Sequence, residues 1–223
     1  MRQTICARAL RTEGATSTRA TYRGGVALAL TGEADADRLL AERPIALVIG
    51  MVLDQQVPFE RAFAAPLELQ SRLGEPLTAE LVATTDPDVL LEVFTRHHAL
   101  HRFPGAMCDR VRKMCVQVVD EWDGKPERIW ETARSGDELI ARLKVLPGFG
   151  EYKAKVFTAL LGKQLGCRPD GWREASAPYG EDGSTMSVAD ITDEKTLRLV
   201  REHKRRAKAA AKAEKASKAA KEA

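Results

Sequence analysis

The sequence Leu-Pro-Gly-Phe-Gly at residues 146–150 predicts a tight turn that leads straight into a helix. Gly148 and Gly150 permit backbone angles and close approaches that a Cβ would block, and Pro147 stiffens the segment before the helix. The amides of this turn are then expected at a helix N-terminus, where unpaired N–H donors and the helix dipole both favour an anion. We expect that anion to be a phosphate; the alternative is an ordinary turn between two helices.

The composition predicts an all-α protein. Strand-type alternation of apolar and polar residues is scarce, whereas Ala, Leu, Arg and Glu are plentiful. The 223 residues are enough for one or two compact domains. No apolar run is long enough to predict a membrane span.

A nearly continuous apolar segment, Ile45 to about Val57, predicts a helix at the centre of the fold, with Pro44 in its first turn. Periodicity and capping residues predict a helix ending near residue 73 and others at about 33–42, 78–83, 86–94, 106–122, 126–133, 137–145, 151–165 and from 194. Residues 166–184, rich in Gly, Pro and acidic side chains, are expected to form a loop.

The four cysteines do not predict a metal centre. Cys6, Cys108, Cys115 and Cys167 match no zinc or iron–sulfur spacing. His101, Cys108 and Cys115 share a seven-residue spacing, but that spacing is about 10.5 Å of helix rise, so we interpret the stripe as core packing. We therefore expect no metal and no cofactor, and free cysteines without a secretory signal favour a cytoplasmic protein.

Charge is distributed unevenly along the chain. The net charge of +3 combines +6 in residues 201–223, +4 in residues 1–25 and −7 in the remainder. We expect residues 1–25 to be a disordered basic extension and residues 206–223 to be a Lys/Ala-rich basic tail. Such a tail favours a polyanionic partner, although it is also typical of a merely solubilising segment.

The pattern Leu-Pro-Gly-hydrophobic-Gly resembles the helix-hairpin-helix motif of DNA-binding proteins. Together with two further features, it resembles the HhH-GPD superfamily of base-excision DNA glycosylases, which includes endonuclease III and the bacterial 3-methyladenine DNA glycosylases. Asp170 stands twenty residues after Gly150, at the spacing of the family's aspartate. Gln55 and Gln56 follow the central helix, where the family carries a glutamine-containing loop that probes DNA.

The resemblance implies a two-lobed helical fold. Residues 44–164 would form the helical bundle that carries the hairpin, and residues 26–43 with 165–205 would form a smaller lobe across a DNA-binding cleft. The DNA-phosphate contact is assigned to four residues of the hairpin and the following helix: Gly148, Phe149, Gly150 and Lys153. Gln55 and Gln56 would fill the gap left by an extruded base, since an amide both donates and accepts hydrogen bonds; the alternative is a pair of solvated polar residues.

The chemistry implied is the hydrolysis of an N-glycosidic bond after the base has been flipped out of the stack. Asp170 would stabilise the oxocarbenium-like state or activate a water, although Pro-Asp-Gly is also a common turn sequence. Tyr152, Trp172 and Tyr179 are candidates for the base pocket, with core packing as the alternative for each.

Three departures from the family pattern refine this prediction. Tyr152 occupies the position at which bifunctional members carry a nucleophilic Lys, so we expect a monofunctional enzyme. The C-terminal four-cysteine cluster of endonuclease III is missing from the sequence, so no iron–sulfur cofactor is implied. Asp170 is followed by Gly-Trp rather than by the family's Thr-His, which puts catalysis in question.

The predicted function is that of a monofunctional DNA N-glycosylase of base-excision repair. Its partner would be double-stranded DNA containing a lesion, with an alkylated base favoured by the resemblance. We expect a monomer in the cytoplasm, associated with the nucleoid and not with a membrane. Two alternatives are a non-catalytic protein of the same fold that binds damaged or bent DNA, and a scaffold for a protein partner.

Overall fold

The computed structural model describes the backbone of residues 28–221 and the side chains of residues 28–213. Of the chain, 66% is helical, and no strand forms within the described residues. The all-α prediction is therefore confirmed, whereas the two-lobed HhH-GPD arrangement stays a prediction. The predicted disorder of residues 1–25 lies outside the described part of the chain.

The described residues form eleven α-helices. In chain order they are α1 (Ala34–Glu42), α2 (Pro44–Leu53), α3 (Phe59–Leu73), α4 (Ala79–Thr84), α5 (Pro87–Thr95), α6 (Pro104–Trp122), α7 (Arg128–Glu131), α8 (Gly136–Lys144), α9 (Glu151–Gln164), α10 (Trp172–Ala175) and α11 (Glu194–Lys221). A 3₁₀ turn, Val188–Asp190, precedes α11.

Helix α2 lies at the centre of the fold, as its sequence predicts. Pro44 occupies its first turn, and every residue from Ile45 to Leu53 is buried. A helix that is apolar all round must be covered on all sides, and α2 packs against α1, α3 and α6.

The central helix ends at Leu53, four residues earlier than the predicted Val57. The chain reverses there: the Gln55 N–H donates to the Leu53 carbonyl at 2.6 Å, and Gln56 has a φ of 56°. The two glutamines therefore lie in a tight turn rather than on the helix.

The turn at residues 145–150 joins α8 to α9, which pack against each other. Ser135 caps α8, its hydroxyl accepting a hydrogen bond from the Glu138 N–H at 3.2 Å. Gly150 is the N-cap of α9. The predicted turn that leads into a helix is present.

The C-terminal helix α11 has 28 residues and a length of about 42 Å. Leu197 and Val200 attach its first turns to the core. The helix extends through residues 206–221 of the predicted basic tail, and the side chains of residues 207–213 are exposed.

One cluster of buried apolar side chains extends from Leu28 to Val200. It includes residues of both predicted lobes, and the division at residues 44 and 164 stays a prediction. None of the helices in the described part of the chain has the length and apolar character needed to cross a bilayer.

Candidate nucleic-acid interface

The two glycines of the turn have different roles. Gly148 has a φ of 93°, and a Cβ there would lie 2.9 Å from the Arg110 Cδ and 3.1 Å from the Val52 Cγ1. The turn itself therefore requires glycine at residue 148. Gly150 has an ordinary φ of −93°, and a Cβ there would meet nothing within 4 Å. Its missing side chain leaves the surface open to an approaching group.

The amides of Gly148 and Gly150 have no hydrogen-bond acceptor among the described residues. Both lie at the N-terminus of the 14-residue helix α9, where the helix dipole favours an anion. Both donors are thus unpaired at a helix N-terminus, and their contact with a phosphate stays a prediction.

Phe149 and Lys153 are not available for the predicted phosphate contact. The Phe149 N–H donates to the Leu146 carbonyl at 3.0 Å, and its ring packs edge-to-face on Phe157 with centroids 5.7 Å apart. Lys153 is buried with 8% of its surface exposed. The structure corrects the prediction for both residues, because Phe149 already donates its amide and Lys153 points into the core.

The Lys153 ammonium joins α9 to the last turn of α2. It donates to the carbonyls of Met51 at 2.6 Å and Val52 at 2.8 Å. Cations are favoured at a helix C-terminus, where the last carbonyls have no partner within the helix. Burial lowers the pKa of Lys153 to about 8, an effect that the Asp54 charge opposes and the Arg110 charge reinforces. This contact fixes the hairpin relative to the glutamine turn.

The Gln55 side chain is held by its neighbours rather than free to probe a ligand. Its Nε2 donates to the Val52 carbonyl at 2.8 Å, and its Oε1 accepts from Arg110 at 2.9 Å. Arg110 in turn lies against Gly148, so a single side chain contacts both the hairpin and the glutamine turn.

A buried imidazole, that of His101, forms a hydrogen bond with the same turn. It is 1% exposed, and its Nε2 lies 2.8 Å from the Gln55 carbonyl. The Phe103 N–H donates to the His101 Nδ1 at 3.0 Å, which assigns the proton to Nε2. Burial is the main cause that lowers the pKa of His101, so the imidazole is neutral at pH 7. His101, Cys108 and Cys115 are all buried, as predicted for core packing.

Gln56 is exposed and has a left-handed backbone conformation, with a φ of 56°. For a residue other than glycine this conformation costs on the order of 1 kcal/mol, and such residues cluster at functional sites. Gln56, rather than Gln55, is therefore the glutamine that projects from the turn.

Tyr152 and Tyr179 meet at the start of α9. Tyr152 is 52% exposed, and the two rings pack edge-to-face with centroids 5.4 Å apart. Burial, then the Tyr179 and Asp54 charges, raise the pKa of Tyr152 to about 12. Its hydroxyl is therefore protonated at neutral pH and able to donate a hydrogen bond beside the hairpin.

Trp172, the third predicted pocket residue, is a packing residue. It is 6% exposed and fills the space between α8 and α9, where a Cβ on Gly162 would overlap its ring. A Cβ on Gly136 would lie 2.6 Å from the Trp172 Cα. The Arg173 guanidinium lies over the ring, 4.7 Å from its centroid. The indole therefore has no open face for a base, and the prediction for Trp172 is wrong.

Asp170, the predicted catalytic residue, lies at the far end of α8 from the hairpin. Its carbonyl accepts from the Gly136 N–H at 2.8 Å, and its N–H donates to the Arg134 carbonyl at 3.2 Å. Helix α8 has nine residues and therefore separates Asp170 from the hairpin turn by about 13 Å. The structure does not bring Asp170 together with the hairpin and the glutamines.

Sequence reasoning missed several charged side chains around the hairpin. Lys144 and Lys155 flank it on either side, and their Nζ atoms lie 3.6 Å and 3.4 Å from the Glu151 carboxylate. Both lysines could have been identified from the sequence, because they lie in the last turn of α8 and the second turn of α9, on either side of the hairpin turn. Arg110 was not detectable, because it reaches Gly148 from a distant part of the chain. Asp54, whose charge acts on Tyr152 and Lys153, is likewise about a hundred residues away in the sequence.

Comparison of the chain with family models, curated proteins and solved structures found no match. Any functional assignment therefore depends on the geometry of these residues.

Proposed function

We propose that this chain binds double-stranded DNA through the hairpin and acts on it as a monofunctional DNA N-glycosylase of base-excision repair. One observation carries the proposal. The unpaired amides of Gly148 and Gly150 lie beside a strained turn that projects Gln56, and the Lys153 ammonium and Arg110 connect the two.

Phosphate binding would be local rather than spread over the surface. Two unpaired amides at the N-terminus of α9 suit one phosphate. Lys144 and Lys155 both pair with Glu151, so these three side chains together add one positive charge beside the hairpin. The segment from 26 to 200 has a net charge of −7, which disfavours a broad electrostatic grip on DNA. The exposed basic side chains of α11 would add a salt-sensitive contribution.

Base extrusion would place Gln56 in the vacated stack and the target base near Tyr152. Cleavage of the DNA strand through a Schiff base needs a free amine at the sugar. Tyr152 has none, and the Lys153 ammonium is buried against two carbonyls. The expected product is therefore an abasic site in an intact strand.

The hairpin contact is tested by Gly150→Ala. The added methyl group would meet nothing in the protein but would hold a phosphate away from the amides. We expect roughly tenfold or greater weakening of DNA binding, because a hydrogen bond to a charged group contributes about 1.5–3 kcal/mol. Fluorescence anisotropy with a labelled duplex measures the affinity.

Gly105→Ala is the matched control for this experiment. Gly105 lies in the first turn of α6, close to a helix N-terminus as Gly150 is, and its Cβ would make an ordinary contact of 3.8 Å with Leu91. Unchanged affinity of Gly150→Ala would refute the hairpin contact and favour a scaffold for a protein partner.

Catalysis is tested with labelled duplexes that contain an alkylated purine, a deaminated base, 8-oxoguanine or a mismatched adenine. Strand breaks that appear only after alkali would identify a monofunctional glycosylase and its lesion. Breaks without alkali would overturn the monofunctional assignment.

A non-catalytic DNA-binding protein is the second candidate function. The location of Asp170 favours it, because the acid that the family spacing marks for catalysis lies about 13 Å of helix away from the hairpin. Binding to abasic or bent DNA without base release on any duplex would select this alternative.

A further inference from the structure

Asp54 is a carboxylate with unused hydrogen-bonding capacity beside the hairpin. Its side chain is 16% exposed, and its Oδ2 lies 3.8 Å from the Lys204 Nζ. The carboxylate accepts no hydrogen bond from any residue in the described part of the chain. A carboxylate removed this far from water is normally compensated by hydrogen bonds or close pairing.

Two aspartates that are more deeply buried than Asp54 show that compensation. The Asp37 Oδ1 accepts from the N–H groups of Leu30 and Thr31, both at 2.9 Å. Asp190 pairs with Lys163 at 2.6 Å and accepts from further backbone amides. Asp54 differs from them because its oxygens accept no hydrogen bond from the described residues and have only the ion pair with Lys204 at 3.8 Å.

The position of Asp54 is suited to a positive charge. It follows the C-terminus of α2, where the helix dipole is negative, and its own N–H donates to the Gly50 carbonyl at 3.0 Å. A carboxylate at this end of a helix adds to the negative potential instead of balancing it. The site therefore favours a cation, and Lys204 supplies only a distant one.

Asp54 lies near the start of α9, because the Lys153 ammonium binds the carbonyls of Met51 and Val52, three and two residues before Asp54 in the chain. Its charge acts on both Tyr152 and Lys153, the second and third residues of that helix. It directly precedes the glutamine turn. Asp54 thus belongs to the segment that Lys153 joins to α9, and it stands two residues before Gln56.

We propose that Asp54, and not Asp170, is the catalytic carboxylate that faces the sugar of an extruded nucleotide. This assignment rests on the proposed glycosylase function. A cationic, N-alkylated purine nucleotide is the substrate with which to test this assignment, since such a base needs no proton in order to leave.

The reaction balances without a cofactor. The C1′–N bond breaks with its electron pair going to the base, which leaves as a neutral molecule. The positive charge passes to the sugar, where the Asp54 carboxylate stabilises it. A water oxygen then bonds to C1′, and its proton is transferred to Asp54 and on to solvent.

The test compares three variants on a duplex containing 7-methylguanine. Asp54→Asn removes the carboxylate, Asp170→Asn removes the acid predicted from family spacing, and Lys204→Met breaks the same ion pair as Asp54→Asn but keeps the carboxylate. We expect Asp54→Asn to lose about 100-fold or more in single-turnover base release. Asp170→Asn and Lys204→Met should stay within about threefold of the native chain.

Binding to a duplex with a tetrahydrofuran abasic analogue is the second measurement, and it should change little in any variant. Equal losses in Asp54→Asn and Lys204→Met would show that the ion pair matters and would overturn the assignment. Native-like base release by Asp54→Asn would overturn it as well, while the glycosylase function stood. If the native chain releases no base from any duplex, the proposed function fails first and the role of Asp54 fails with it.

Discussion

Replacing Lys153 by methionine should change how the stability of this protein depends on pH. Burial gives this ammonium a pKa of about 8 in the folded chain, against an ordinary value of 10.5. Between these two values the unfolded chain holds more protons than the folded chain, so deprotonation increases the stability of the native protein as pH rises. The methionine side chain of the variant cannot titrate.

The expected change in the free energy of unfolding follows from the lowered pKa of Lys153. At pH 9, one unit above the folded-state pKa, deprotonation contributes about 1.4 kcal/mol to the native chain, and at pH 7 it contributes almost nothing. The free energy of unfolding of the native chain, minus that of Lys153→Met, should therefore rise by about 1.4 kcal/mol between pH 7 and pH 9. Urea unfolding of both proteins at pH 7, 8 and 9 measures this difference.

Other groups titrate near pH 7–9, and their contributions to stability must cancel between the native chain and Lys153→Met. The titratable and charged groups around Lys153 are Asp54, Arg110, His101 and Tyr152. Burial raises the pKa of Cys108 to about 11, which lowers stability as pH rises above the ordinary thiol value of 9.0. Both proteins contain all of these groups, so their own contributions cancel, apart from that of His101, whose pKa the Lys153 charge lowers in the native chain. A difference that stays constant or falls between pH 7 and pH 9 would refute a buried, desolvated ammonium at this position.

Two further substitutions test the packing around α9. Gly162→Ala should destabilise the protein by about 1–3 kcal/mol, because its methyl group would overlap the Trp172 ring; a urea midpoint equal to that of Gly105→Ala would contradict the tight contact. Lys163→Met should cost about 3–5 kcal/mol, since it leaves the Asp190 carboxylate, whose side chain is 2% exposed, without its cation. Adding Asp190→Asn to Lys163→Met should recover part of that loss in thermal unfolding, and no recovery would argue against the ion pair.

Local sequence patterns were sufficient for the longer helices and the hairpin turn. The prediction of a loop over residues 166–184 was wrong for residues 172–175, which form the short helix α10. Helix α2 is apolar all round and has Pro44 in its first turn, and both features are visible without knowledge of the fold. Gly148 likewise marks a positive φ through its own chemistry. These properties depend on residues close together in the chain, so the sequence was able to predict them.

The candidate site depended on contacts between distant residues. The direction of Lys153 is decided by the carbonyls of Met51 and Val52, about a hundred residues earlier in the chain. Trp172 is buried because the glycines on α8 and α9 leave room for it. Asp170 is displaced because its backbone pairs with Arg134 and the start of α8. Spacing along the sequence carries no information about any of these three partners.

The turn that carries Gln56 is restrained from three directions, by the Lys153 ammonium, the Arg110 guanidinium and the His101 imidazole. Fixing the backbone of a flexible residue costs about 1–2 kcal/mol of conformational entropy, and here that loss occurs when the chain folds. A partner that meets this turn therefore encounters a rigid wedge and does not have to order it. If the partner is double-stranded DNA, as we propose, the DNA must deform to admit the wedge, and duplexes that bend or unstack most easily should bind best.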